Sequence, residues 1–141
     1  MISAVCDQGC DKQFWFDTPE AWCATPFKPF DGTEEGACDT MDVATTVLDA
    51  FMITDSSAFP SFDPNTTLYD GLYPFAGMFA HMMRQGVAAL LNASHPDVGF
   101  AVTPAEVKEV MQQAFSGEIT ERQAKQIFLM WNDCLGGCPL D

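Results

Sequence analysis

A chain of 141 residues is long enough to build one real hydrophobic core. With 48% apolar residues and 12 Phe it is no disordered acidic tail. Its formal charge of −14 excludes the partners that basic side chains recognise, because nucleic acids and anionic membranes are bound by Lys and Arg displacing counterions. Thirteen acids fall in the stretch up to Ala80 against only Lys12 and Lys28. That asymmetry suits solubility in a salty or calcium-containing medium, and weak calcium binding of the extracellular kind is the sharper expectation.

Residues 1–38 read as an irregular segment of a single domain spanning 1–141. Trp15, Phe16, Pro19, Trp22, Pro26, Phe27, Pro29 and Phe30 set aromatics between prolines with no helical period, a pattern that caps a core with loops. Thr18-Pro19-Glu20-Ala21-Trp22 predicts one short helical turn. Met1-Ile-Ser-Ala-Val lacks the basic head and apolar core of a signal peptide, so an exported form is expected to be the mature one.

A first helix is predicted after Asp39, with Asp39 as its cap, Asp42 in its first turn, and Val43, Ala44, Val47, Leu48, Phe51 and Met52 on one face to about Thr54. From Asp55 to Tyr73 runs a long connection of turn residues. Within it, Asp63-Pro64-Asn65-Thr66-Thr67 lacks the acidic positions and closing Glu of an EF-hand, and reads as a turn held by Asx and Thr side chains. Leu68 and Tyr73 are expected to pin the connection to the core.

The stretch 74–92 carries one formal charge, Arg84, and reads as an apolar helix at the centre of the molecule, too short and too interrupted to span a membrane. An arginine there calls for a partner, since desolvation of an unpaired charge is costly. A structural ion pair of Arg84 with Asp42, Asp49, Asp70 or Asp97 is the expectation. His81, Met78, Met82 and Met83 are ligand types that copper accepts, but one helix cannot present all four together. Ser94-His95-Pro96-Asp97 ends the helix, and Val98 to Val102 forms an apolar link.

Thr103-Pro104-Ala105-Glu106 combines a cap, a first-turn proline and a capping box, with Val102 and Val107 as the hydrophobic staple. Val107, Val110, Met111, Ala114 and Phe115 continue that helix to Ser116-Gly117. Thr120 and Gln123 restart the pattern, and Ala124, Ile127, Phe128, Trp131 and Leu135 form the next stripe, stopped by Gly136-Gly137. The fold class that results is all-α: an orthogonal or irregular bundle of about four helices around the central helix 74–92.

The six cysteines, Cys6, Cys10, Cys23, Cys38, Cys134 and Cys138, gather near the two ends. Such an arrangement reads as disulfides closing a self-supporting middle in an oxidising compartment. Cys23–Cys38 and two bridges from Cys6 and Cys10 to Cys134 and Cys138 are expected, closing the ends. The rival is a tetrahedral zinc site built from the two C-x3-C pairs. Asn65-Thr66-Thr67 and Asn92-Ala93-Ser94 match the acceptor pattern for N-linked glycans. No Gly-rich phosphate loop, nucleophile elbow or His-x3-His zinc helix is present.

Gly86-Val-Ala-Ala-Leu-Leu-Asn-Ala-Ser-His-Pro-Asp-Val98, followed by Val102-Thr-Pro-Ala-Glu-Val107 and by Gly137-Cys138-Pro139-Leu140, resembles a small cysteine-bearing helical domain recurrent in predicted secreted and surface proteins of environmental bacteria. Gln13-Phe14-Trp15 stands where many members carry Gly-Phe-Trp, and their Lys-Asn-His is missing. The resemblance implies compartment and modular surface context rather than chemistry. Taken with the residues, it leads to a non-enzymatic extracellular or cell-surface module for structure, adhesion or assembly, with a protein partner or self-association and no cofactor other than calcium. The alternatives are a carrier of a lipophilic small molecule in an internal apolar cavity, and a weak calcium-binding module.

Overall fold

The computed structural model describes residues 8–29, 44–73, 78–133 and 137–140. Its elements are helices α1 (Lys12–Asp17), α2 (Val47–Ala50), α3 (Met78–Ser94), α4 (Pro104–Ser116) and α5 (Glu121–Asn132), with 3-10 turns at Pro19–Ala24 and Asp70–Leu72. Among the described residues β pairing is limited to one isolated antiparallel bridge, Thr46 with Thr67.

The centre is α3. Every residue from Met82 to Asn92 is buried, because the run has apolar groups on nearly all sides and neighbours on nearly all sides. It packs against α5, α4, α1 and the 3-10 turn at 70–72. Leu90, Leu91, Val87 and Met82 are fully buried there, each contributing roughly 1.5–3 kcal/mol relative to exposure. The helix runs two residues beyond the expected end at Asn92, and its expected opening at Pro74 lies outside the described residues.

Gly86 lets α4 and α5 approach together. A Cβ at this position would clash with the Met111 terminal methyl from α4 and lie 2.9 Å from the Phe128 ring of α5. Gly86→Ala is therefore expected to lower stability by about 1–3 kcal/mol through overpacking, although alanine is the better helix former. Urea denaturation measures it, and a stabilised variant would show that the contact has slack.

The last two helices follow their local signals closely. Thr103 accepts from the Glu106 N–H at 3.2 Å while the Glu106 carboxylate accepts from the Thr103 N–H at 2.9 Å. Thr120 and Gln123 repeat the box on α5. Gly117, with φ of 86°, ends α4 in the left-handed conformation. The helix α5 stops at Asn132, and the expected continuation through Leu135 to Gly136 lies outside the described residues.

The first predicted helix is corrected. Asp39 and Asp42 lie outside the described residues, but Thr45 and Thr46 are not helical. Thr45 donates its N–H to the Lys28 carbonyl and accepts from the Leu68 N–H, and Val47 donates to Thr66. These long-range pairings satisfy the backbone that a helix would have satisfied locally. Only Val47–Ala50 is helical, capped by Thr46. Phe51 caps its end, Met52 follows with a left-handed φ of 55°, and Gln112 of α4 donates to the Phe51 carbonyl at 2.8 Å.

The N-terminal segment is also more regular than expected. Asp11 accepts from the Phe14 N–H at 2.9 Å and opens α1, which drives Trp15 into the core. The short turn expected near Thr18 is present as the 3-10 turn Pro19–Ala24, though Thr18 makes no side-chain cap. The connection 55–73 packs through Phe59 and Phe62, whose rings meet Phe79 and Phe115 edge to face at 4.9–5.7 Å. Leu68 is fully buried, and Tyr73 meets the Phe16 and Tyr69 rings. The Asp63 turn is held as expected: Asp63 accepts from Asn65 N–H at 2.9 Å, and the Thr66 hydroxyl donates to the Asp63 carbonyl at 2.8 Å.

Candidate functional site

A fully connected polar group in the core is Asn92, 0% exposed, near the end of α3. Its amide oxygen accepts from the Cys10 N–H at 2.7 Å and from the Trp15 indole N–H at 3.2 Å. Its amide nitrogen donates to the Cys10 carbonyl at 2.8 Å and to the Asn132 side-chain oxygen at 3.1 Å. An asparagine amide has two acceptor and two donor positions, and all four are used. Asn132 then donates to the Gln85 carbonyl and side-chain oxygens at 2.9 and 3.0 Å. The Trp22 indole extends the chain by donating to the Trp15 carbonyl at 3.0 Å.

Cys10 is the point where this network meets a covalent bond. Cys10 is joined to Cys138, with their Cα atoms 4.4 Å apart and a sequence separation of 128. Gly9 donates to the Gly137 carbonyl beside the bridge, and Gln8 pairs with Gly99 through its backbone and side chain. The two ends of the described chain therefore meet over the C-terminal end of α3. The expected bridging of the first cysteine pair to the last is present in Cys10–Cys138, which consumes two of the sulfurs a tetrahedral zinc site would need. Cys23 is disulfide-bonded as well. Cys6, Cys38 and Cys134 lie outside the described residues, and with them the remaining expected pairings.

Arg84 is 6% exposed and directly precedes Gln85, at that end of the network. It donates to the Tyr73 carbonyl at 3.1 Å and to the His81 Nδ1 at 2.7 Å. These contacts set it against the end of the long connection, and Asp42, one of the acids expected to meet it, lies outside the described residues. Because Nδ1 of His81 accepts, that ring carries its proton on Nε2. His95 is buried beside Trp15, and its Nδ1 accepts from the Asp97 N–H at 3.1 Å, which shapes the turn after α3. Tyr69 donates to the Phe16 carbonyl at 2.8 Å; burial pushes its phenol above the ordinary range.

Each of these groups serves the fold. The Asn92 amide has all four of its hydrogen-bonding positions occupied, and the Nδ1 atoms of His81 and His95 are taken by Arg84 and by the Asp97 N–H. Among the described residues no group of three or more His, Cys, Asp or Glu stands close enough to hold a metal ion, and no helix is long and apolar enough to cross a membrane. Among the described residues, apolar side chains reach the surface at two places that bear on binding. One is an open cleft of about 340 Å3 lined by Phe59, Pro60, Phe62 and Phe79 with Glu121 at its edge. The other is a strip along α5 made by Ile119, Ile127 and Met130, the last 51% exposed.

Sequence reasoning marked Asn92 as a helix end and did not single out Gln85 or Asn132. The signal was available in the spacing: Asn132 lies four residues after Phe128, on the buried stripe where an amide needs a partner.

A family model described as Protodermal factor 1 C-terminal domain matches residues 32–136. The match contains Gln85, Asn92 and Asn132, while Cys10, Trp15 and Cys138 fall outside it. That family is a plant family of secreted type and is not a known enzyme family. No curated protein and no solved structure matches the chain.

Proposed function

The chain belongs to the Protodermal factor 1 C-terminal domain family, and from that premise we propose that it is a non-enzymatic module of the extracellular space or cell surface, acting in adhesion, assembly or a structural coat. The observation that carries this reading is the Cys10–Cys138 bridge. Structural disulfides persist in oxidising compartments, and this one fastens both ends of the chain onto a saturated buried network. A chain with a charge of −14 stays dispersed at low ionic strength by self-repulsion, so its contacts with partners are made where salt screens that charge.

The apolar strip of α5 supports assembly over the carrier. Ile119, Ile127 and Met130 form an outward surface, whereas the aromatic space by Phe59 and Phe62 is an open cleft rather than the enclosed cavity a lipophilic cargo would fill. Sedimentation equilibrium of the chain at physiological ionic strength tests the reading. Self-association is expected, weakened at least about tenfold by Met130→Glu, a loss of about 1.4 kcal/mol in binding. A chain that stays monomeric at every concentration, yet carries a lipophilic molecule through purification, would favour the carrier instead. Calcium binding is the remaining reading; a calcium-dependent rise in melting temperature would support it.

A further inference from the structure

We infer that Asn65 carries an N-linked glycan and that Asn92 does not. Both positions carry the acceptor pattern, Asn65-Thr66-Thr67 and Asn92-Ala93-Ser94, and the pattern alone does not separate them. The fold does. Asn65 is exposed at the tip of the 63–67 turn, and its side-chain amide enters no described hydrogen bond. The backbone on either side is fixed without it: Asp63 accepts from the Asn65 and Thr66 N–H groups, Thr66 accepts from Val47, and Thr67 sits in the bridge with Thr46. A sugar on Asn65 Nδ2 thus removes no contact and points into solvent.

Asn92 is the opposite case. Both of its Nδ2 protons are donated, to Cys10 and Asn132, and the residue is fully buried. N-glycosylation replaces one of those protons with the anomeric carbon of a sugar, so a chain modified there cannot form the network or close its ends over α3. The neighbouring cleft adds a second consequence. Asp63, Thr66 and Asp70 line a cleft that continues from Phe62 and Phe79, so a glycan at residue 65 stands beside the aromatic surface and limits what reaches it.

The transfer needs a lipid-pyrophosphate-linked oligosaccharide as donor. The bond from the reducing-end sugar C1 to its pyrophosphate oxygen breaks, a bond from C1 to Asn65 Nδ2 forms, and the amide nitrogen releases one proton while the lipid pyrophosphate leaves. The inference rests on the extracellular reading above, since that donor is met on the secretory route.

Two arms test it. The full chain is secreted from cultured plant cells behind a signal peptide, and its intact mass is read before and after peptide-N-glycosidase. One glycan is expected, absent from Asn65→Gln and Thr67→Ala, retained in Thr67→Ser, with the peptide containing Asn92 bare. A bare Asn65 on secreted chains whose Cys10–Cys138 bridge is intact overturns the inference and leaves the extracellular reading standing, as does a glycan found on Asn92. The second arm takes the protein from its natural source. The same single glycan supports both, whereas free thiols throughout overturn the extracellular reading and natural occupancy with it.

Discussion

Asn92→Ala is expected to cost about 4 kcal/mol or more of folding stability, among the largest single-residue effects in the chain. The substitution leaves the Cys10 N–H and carbonyl, the Trp15 indole and the Asn132 oxygen without their described partner in a buried setting. Each orphaned group costs roughly 1–3 kcal/mol, and losses inside one network do not simply add. Asn92→Asp sharpens the test. Its carboxylate keeps the two acceptors but faces the Cys10 carbonyl and the Asn132 oxygen with no donor, and burial raises its folded-state pKa above the unfolded value of about 3.9. A group raised in this way stabilises most when protonated, so the aspartate variant should be firmest in acid and lose stability as pH rises through the folded-state pKa. Urea titrations across that range measure both variants. A loss below about 1 kcal/mol for alanine would show that the network is not what holds the ends together.

Complete reduction of the disulfides is the second large effect. Opening the Cys10–Cys138 bridge frees a loop with a sequence separation of 128. Chain-entropy accounting places that single bridge at about 4–5 kcal/mol, less whatever structure the unfolded chain retains. Because Cys10 is held by its sulfur and by both of its backbone groups, the two effects should be coupled. In reduced protein the Asn92→Ala substitution is expected to cost less than in oxidised protein, since the N-terminal segment has already loosened. A double cycle of reduction and substitution reads that coupling directly. Equal costs in the two states would mean that Cys10 stays docked without its bridge.

The parts of the fold that were legible in the sequence are those whose signals are local. Thr103 and Thr120 announce α4 and α5 because capping acts over three residues, and the apolar run announces α3 because burial on all sides leaves little room for charge. The helix expected from Asp39 failed at Thr45 and Thr46, where pairing with Lys28, Thr66, Thr67 and Leu68 replaced local bonds; no short-range pattern reports partners that far away. The helix α1 was missed because its buried content is a single Trp15, too little for a periodic stripe. A bridge from the first cysteine pair to the last was readable from cysteine placement at the ends, whereas the choice of Cys138 as the partner of Cys10 was not. The network behind it was not, since Gln85 and Asn132 resemble surface amides until the core closes around them.

The Cys10–Cys138 bridge joins segments near the two ends of the chain over the end of α3. Peptide mapping without reduction, on protein taken from its natural source, tests it most directly. A cross-linked fragment joining Cys10 to Cys138, together with Cys23 in a disulfide, is the expected result. Free thiols at Cys10 and Cys138, or either of them bonded to a different cysteine, would contradict it.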